Sequence, residues 1–367
     1  MWFIILGLTF GAYIVGTIYL IGRIRHFLVI RKLANGRRGR SILFALLTFT
    51  IVSAVLLPML GVMNYIIVTL HLMLIWLICD GIGRLLRGKK ERRKGIYIPG
   101  ITAVLITFIY MTAAYIIAHN VVRTGYELTS DKLSSDKRII MISDSHIGAL
   151  FDGDKLSEYV ERINEEKPDI VIICGDFVDD GTTRENMMAA ITALSGLKTK
   201  SGTYYVYGNH DRGLLRNDSG YTADELENSL KDAGITVLVD DIVILDDMAI
   251  IGRQDKYFSS RKSAGELMAS VPPSLYSVML DHQPNDYDAE AASGADLVLS
   301  GHTHGGQLFP ITYVGEWFNL NDRTYGHERR DNTDFIVSSG IGDWEILFKT
   351  GCKSEYVVID VKGTASK

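Results

Sequence analysis

Hydrophobic and polar positions divide this chain into two regimes. Residues 1–22, 41–79 and 95–120 contain no Asp, Glu, Lys or Arg. A bilayer's hydrocarbon core is about 30 Å thick, so a helix needs roughly 20 apolar residues to cross it. Met1 to Gly22 fits one span, and Ile96 to His119 fits another, with Pro99 tolerable in its first turn. The middle run would reach about 58 Å as one helix at 1.5 Å per residue, nearly twice the bilayer core. It must double back, and Pro58-Met59-Leu60-Gly61 supplies the turn. The pattern predicts a four-helix transmembrane region over residues 1–120.

The pattern changes after Asn120. Residues 121–137 lack strong periodicity and read as a linker, with a first strand near Tyr126-Glu127-Leu128. From residue 138 to 367 short apolar runs alternate with amphipathic segments. Ile139–Ile142, Ile170–Cys174 and Tyr204–Tyr207 are followed by helical patterns near Lys155–Glu165, Arg184–Leu194 and Ala223–Ala233. Further β-branched runs lie at Val237–Val239, Ile242–Leu245, Ala249–Ile251, Val278–Leu280, Leu297–Leu299 and Tyr356–Val361. Such alternation, followed by strand-rich stretches, predicts one layered α/β domain with mixed sheets.

Charge sharpens the division. The 367 residues carry a formal net charge of −5, which hides an asymmetry. Residues 1–120 hold 14 Lys and Arg against only Asp80 and Glu91, whereas the remainder has a net of −17. Seven bases fall between Arg23 and Arg40 and seven between Arg84 and Lys94. The positive-inside bias puts both loops in the cytoplasm. The N-terminus and everything after Asn120 then lie on the extracytoplasmic side of a multi-pass cell-membrane protein. A cleaved signal peptide is the rival reading of residues 1–22, but no basic segment precedes the apolar run and further spans follow. Within the spans, Asn64, His71 and Asp80 are candidates for function, because intramembrane ionisable groups are costly. The blander reading is favoured: Asp80 near the cytoplasmic interface and His71 bonded to a neighbouring helix, with no matching charge on the other spans. Gly7 and Gly11 match a small-residue spacing for close helix approach.

Seven prolines and no biased tract exclude a collagen-like or largely disordered chain. Three cysteines exclude a disulfide scaffold and offer no zinc-ribbon spacing, so Cys174 and Cys352 are expected as free thiols.

Chemistry gathers at the strand ends. Five apolar runs lead into Asp144-Ser145-His146, Gly175-Asp176-Phe177-Val178-Asp179, Gly208-Asn209-His210-Asp211, Asp281-His282 and Gly301-His302-Thr303-His304. Open α/β sheets bind ligands beyond the carboxyl ends of their strands, so these groups converge on one edge. The glycines at 175, 208 and 301 allow sharp turns there. Imidazole, carboxylate and amide oxygen suit Mn, Fe or Zn ions rather than calcium or a thiolate cluster. Asp144, His146, Asp176, Asn209, His282, His302 and His304 are too many for one ion. They suit two divalent metal ions sharing a carboxylate, about 3.5–4 Å apart, as in phosphatases and nucleases. A turn made of Asp-x-His alone is common; Gly-Asn-His-Asp with Gly-His-Thr-His is not.

The ordered set of Asp-x-His, Gly-Asp-x-x-Asp, Gly-Asn-His-Asp, a lone His and Gly-His-x-His resembles the calcineurin-like metallophosphoesterase family over residues 136–362. The helices in front resemble its membrane-anchored bacterial subgroup, which includes relatives of UDP-diacylglucosamine hydrolases. The resemblance implies an α/β two-sheet sandwich flanked by helices. It implies that Asp144, His146, Asp176 and His304 hold one metal, and Asp176, Asn209, His282 and His302 the other. His210 is then the catalytic histidine, Asp211 its orienting partner, and Asp179 a supporting residue. The expected activity is metal-dependent hydrolysis of a phosphomonoester, phosphodiester or pyrophosphate by a metal-bridging hydroxide, with His210 protonating the leaving oxygen or binding the phosphate.

The substrate is harder to read. A lipid-linked or envelope-associated phosphate fits the membrane helices. An extracellular nucleotidase or nuclease is the alternative, disfavoured by the −17 charge, since polyanion binding depends on Lys and Arg; nucleic acid is an unlikely partner. A membrane sensor that binds without turnover is a third reading, against which His210 argues. Residues 308–331, with Phe309, Tyr313, Trp317, Phe318, Arg323, Arg329 and Arg330, read equally as a lid gripping such a phosphate or as a surface excursion with buried aromatics. Arg253 and Lys349 read as phosphate ligands or as solvated charges. Oligomeric state is not legible.

Overall fold

A computed structural model describes residues 2–87, 95–212, 220–258 and 260–364. Two compact units divide the chain, Met1–Tyr115 and Ile116–Lys367. Residues 88–94 of the second basic loop lie outside the described residues.

The first unit is helical: α1 (Trp2–Ile24), α2 (Leu28–Leu33), α3 (Arg38–Arg87) and α4 (Ile98–His119). Three of these, α1, α3 and α4, are long and apolar enough to cross a membrane. The two middle spans expected within residues 41–79 form one run, interrupted at Gly61 (φ 73°, ψ 167°) just after Pro58. That backbone conformation is open essentially to glycine alone. Ser53 Oγ lies 2.6 Å from the Tyr65 hydroxyl, and Phe49 packs with Leu72, Met73 and Trp76. Twelve residues of straight helix would separate the first pair by about 18 Å along the axis. The chain therefore reverses at Gly61, where the turn was expected.

Polar groups in this unit are tied to one another. Asp80 is buried, ion-pairs with Arg23 at 2.7 Å, and accepts hydrogen bonds from Tyr19 and Tyr97; the Tyr97 oxygen in turn accepts from Trp76 Nε1. The expectation that no opposite charge matches Asp80 is thus wrong: Arg23, in the last turn of α1, is its partner. His71 bonds through Nδ1 to the Ile67 carbonyl of its own helix, not to a neighbour. A Cβ at Gly7 or Gly11 would meet nothing within 4 Å, whereas one at Gly16 would meet Met73 Sδ at 2.9 Å, so close approach occurs one turn later.

The described residues of the second unit form twelve strands: β1 (Val122–Ser130), β2 (Lys137–Ile142), β3 (Ile170–Cys174), β4 (Thr203–Val206), β5 (Ile235–Leu238), β6 (Asp241–Ile244), β7 (Met248–Gly252), β8 (Tyr276–Leu280), β9 (Leu297–Ser300), β10 (Gly326–Arg330), β11 (Thr333–Val337) and β12 (Glu355–Gly363). Two six-stranded mixed sheets run β1-β12-β2-β3-β4-β5 and β10-β11-β9-β8-β7-β6. Ile139, Met141, Ile172 and Val206 of the first sheet meet Ile250, Val278, Leu280 and Leu299 of the second in one buried cluster. Opposite residues of the same strands, Ile140, Ile142 and Ile173, pack under α5 (Gly153–Glu165), α6 (Arg184–Leu194) and α7 (Ala223–Asp232). The outer face of the second sheet packs on α8 (Ala264–Met268) and α9 (Tyr287–Ala292). The strands are buried on both faces, which is why they read as unbroken apolar runs. Helix starts are set by side-chain caps: Asp152, Thr183 and Thr222 each accept a backbone N–H three residues on.

Most of the expected strand and helix positions hold. Not foreseen were β10, β11, α8 and α9. In the linker, β1 occupies the heart, extending the strand expected near Tyr126 to nine residues paired in parallel with β12. Its alternate residues are exposed, as suits an edge strand, and a half-polar edge has weak periodicity.

Candidate metal centre

Parallel pairing in register sets the site. β2, β3 and β4 lie side by side, with Ile142 opposite Ile173 and Cys174 opposite Val206, so their carboxyl ends open together. β8 and β9 do the same in the second sheet, with Leu280 opposite Leu299. Backbone bonds continue past the strands: Asp144 N–H donates to Gly175 O, His146 N–H to Asp176 O, and Gly301 N–H to His282 O. Asp144, His146, Asp176, His302 and His304 all have positive φ, between 40° and 68°. Five strained non-glycine residues at one edge mark a functional site.

The expected ligands come together. The ligand atoms of Asp144, His146 and His304 lie within 4.8 Å of one another, and so do those of Asp176, His282 and His302. Asp176 faces both groups: its Oδ2 is 3.1 Å from His282 Nε2 and 3.8 Å from His146 Nε2. Asn209 is buried beside them, and its Oδ1, with Asp144 Oδ2, His282 Nε2 and His302 Nδ1, has no hydrogen-bond partner among the described residues. Four buried, unpartnered acceptor or ring atoms are costly unless something binds them, and O and N donors in this set fit divalent cations.

The glycines press on this centre rather than simply turning it. A Cβ at Gly208 would sit 2.1 Å from Asp176 Oδ1, and one at Gly301 would sit 2.4 Å from Asp144 Oδ2. Only Gly175 of the three has a positive φ, 78°.

Electrostatics couple the groups. Burial opposes ionisation of Asp176, but His282, His146 and His210 outweigh it and hold the carboxyl well below its usual range. Burial likewise lowers His282, yet Asp176 and its neighbours raise it well above the ordinary histidine value. Burial with His282 alongside pushes His302 down to about 4. Burial also lowers His210, aided by His146 and opposed by Asp176.

Supporting residues hold the outer ring nitrogens. His282 Nδ1 meets the Cys174 carbonyl at 2.8 Å, and His146 Nδ1 lies 3.4 Å from the Asp179 carboxylate. His304 Nδ1 lies 3.2 Å from Asp343, a buried carboxylate the sequence reading passed over. Its signal was present: Asp343 ends Gly340-Ile341-Gly342-Asp343 after the apolar run of β11, a sixth strand end of the same kind. The ring of Trp344 stands 5.2 Å from that of His210, another neighbour not foreseen.

Three expectations change. Asp211 does not orient His210: its carboxylate accepts backbone N–H groups of Gly208, Asp176, Phe177 and Val178, and His210 Nδ1 has no hydrogen-bond partner among the described residues. Arg253 is buried in ion pairs with Asp281, Asp286 and Glu290, and Lys349 is buried with its ammonium on the Ser339 and Gly342 carbonyls, so neither is solvated or turned to a phosphate. In residues 308–331 Phe309, Tyr313, Trp317 and Phe318 are exposed, not buried, while Arg329 pairs with Asp334 and Arg330 with Glu328. Cys174 and Cys352 are free, as expected, and so is Cys79.

Two largely buried triads, with the Asp176 carboxylate close to both, form candidate metal-binding groups at the mouth of a two-sheet sandwich. A family model described as calcineurin-like phosphoesterase matches residues 137–306, which contain all seven candidate ligands. The chain is 30% identical over 235 residues to an uncharacterized metallophosphoesterase of Aquifex aeolicus, covering 62% of this chain and 85% of that protein. It is 30% identical over 226 residues to an uncharacterized metallophosphoesterase of Helicobacter pylori, covering 59% and 58% respectively. Over 248 residues it is 30% identical to a transmembrane protein with metallophosphoesterase domain of Danio rerio, covering 61% and 53%. The chain belongs to the calcineurin-like metallophosphoesterase family. It spans under two thirds of the length of the Helicobacter relative it matches.

Proposed function

We propose that this protein is a membrane-anchored, metal-dependent phosphoesterase. The observation that carries the reading is Asp176, whose carboxylate stands between two buried groups of ligand atoms. In this reading Asp144, His146, Asp176 and His304 hold one divalent ion, and Asp176, Asn209, His282 and His302 the other, with Mn, Fe or Zn suiting the donors. Bound metals would supply a nucleophilic water near neutral pH and charge stabilisation at phosphorus.

The protein's own part is positioning. His302, pushed down to about 4, stays neutral and keeps a lone pair free. His210, also lowered, is neutral at pH 7 and acts by donating an N–H to the phosphate rather than as a standing cation. The backbone N–H of His210 donates to Asp176 Oδ1 at 2.9 Å, which ties the position of the catalytic residue to that of the shared ligand.

Four spans, counting the two arms of α3 separately, with both basic loops cytoplasmic and the metallophosphoesterase domain outside, form the topology we favour; the two clusters of seven bases support it. The substrate class is a lipid-linked or envelope phosphoester. Purified full chain with Mn²⁺ and bis-p-nitrophenyl phosphate tests the activity: release of nitrophenol that Asp176→Asn abolishes supports the reading, and no release from metal-loaded protein refutes it. Protease accessibility in sealed cells tests the topology.

A further inference from the structure

From residue 120 onward, eight large hydrophobic residues are exposed among those described, and six lie between 309 and 320: Phe309, Ile311, Tyr313, Trp317, Phe318 and Leu320. Two of them, Trp317 and Phe318, have 68% and 70% of their surface in water. Such a concentration marks an interaction surface rather than scattered exposure.

The segment is built to stand out. Phe318 N–H donates to Val314 O and Leu320 N–H to Gly315 O, so short local helices satisfy its backbone while the side chains point away from the core. Glu316 is the only charged residue from 309 to 320, and its Oε1 accepts the Thr324 N–H. Both ends are fastened beside the candidate ligands. Thr303, between His302 and His304, donates through Oγ1 to Thr324 O at 2.6 Å, and the Gln307 N–H donates to His304 O at 3.2 Å.

We propose that residues 309–320 seat in the interfacial layer of a lipid bilayer and hold the metal centre at headgroup level. Tyr and Trp are the residues enriched at that depth, where an apolar ring meets water at one edge. Among the described residues three helices are long and apolar enough to cross a membrane, so a bilayer is the partner always at hand. The proposal rests on the phosphoesterase reading only for its consequence, that the substrate is a phosphoester carried by a lipid headgroup.

The test uses the full chain in nanodiscs of phosphatidylcholine and phosphatidylglycerol, with and without brominated acyl chains. Trp317 is one of four tryptophans, so wild-type emission minus that of Trp317→Phe isolates its signal. The expected difference spectrum is blue-shifted and strongly quenched by brominated lipid. A red, unquenched difference overturns the proposal, and crosslinks between the 309–320 segments of two chains, with that result, assign the surface to a second copy. The double variant Trp317→Ser/Phe318→Ser is expected to keep hydrolysis of bis-p-nitrophenyl phosphate, while turnover of a bilayer-borne phosphoester falls about tenfold. Equal loss on both substrates overturns the consequence. Quenching needs no turnover: a quenched Trp317 on a chain that hydrolyses nothing upholds docking and refutes the phosphoesterase reading, and the reverse pattern does the opposite.

Discussion

The carboxylate of Asp211 accepts the backbone N–H of Asp176 at 2.8 Å, and those of Phe177 and Val178 at 2.8 and 3.1 Å. With the Gly208 N–H at 2.7 Å, it joins the turns after β3 and β4. Burial and the nearby Asp176 push this carboxyl up to about 6, against the pull of its backbone donors. Asp176 and Asn209 sit on the two turns it joins. Asp211 thus positions the two turns that carry these candidate ligands.

Asp211→Asn leaves one acceptor oxygen where four N–H groups converge, and places an amide donor against them. The variant should lose about 3 kcal/mol of stability, the worth of a buried charged hydrogen-bond hub. It should also hold less metal. Thermal unfolding of metal-loaded protein and metal analysis check this; wild-type stability with only turnover lost would restore the role of orienting His210.

Asp343 offers a gentler perturbation. Its Oδ1 lies 3.2 Å from His304 Nδ1, on the side of the ring away from Asp144. Removing a carboxylate that orients a ligating imidazole costs about 10–100-fold in metal affinity. Asp343→Ala should show that loss, confined to the ion held by His304, in a metal titration followed by calorimetry.

His210→Asn keeps a hydrogen-bonding group and leaves the seven ligands untouched. Metal content should be unchanged while turnover falls about 10²–10⁴-fold. Undiminished hydrolysis would remove His210 from the catalytic machinery.

Metal binding should weaken as pH falls. Its neighbouring carboxylates hold His282 well above the ordinary histidine value, so at neutral pH the metal-free ring carries a proton that a metal must displace. Proton and metal compete, and affinity rises with pH, by about tenfold per unit for one displaced proton, up to the raised value. His302, at about 4, adds no competition above that pH. Metal retention after dialysis across a pH series reads this directly, and retention independent of pH would contradict it.

The stretches of chemistry were legible because each was local. Asp144 with His146, Asn209 with His210, and His302 with His304 stand within three residues of one another after apolar runs, and short-range order of that kind survives in the sequence. The reversal at Pro58–Gly61 was local in the same sense. What was hidden depends on partners far along the chain. Asp80 is matched by Arg23, 57 positions away, because two helices pack together. Asp211 looks like a neighbour of His210 in sequence, yet its hydrogen bonds cross to the turn after β3.

The sequence by itself determined which polar side chains stand at the strand ends, the apolar regime of the first 120 residues, and the order of most strands, since hydrophobic period and turn residues are written in neighbouring positions. Only the tertiary structure decided that β1 joins a sheet through β12, that Asp176 faces both ligand groups, and that the aromatics of 309–320 lie in water. Burial and distance between remote residues follow from how sheets stack and register, and no local pattern encodes them.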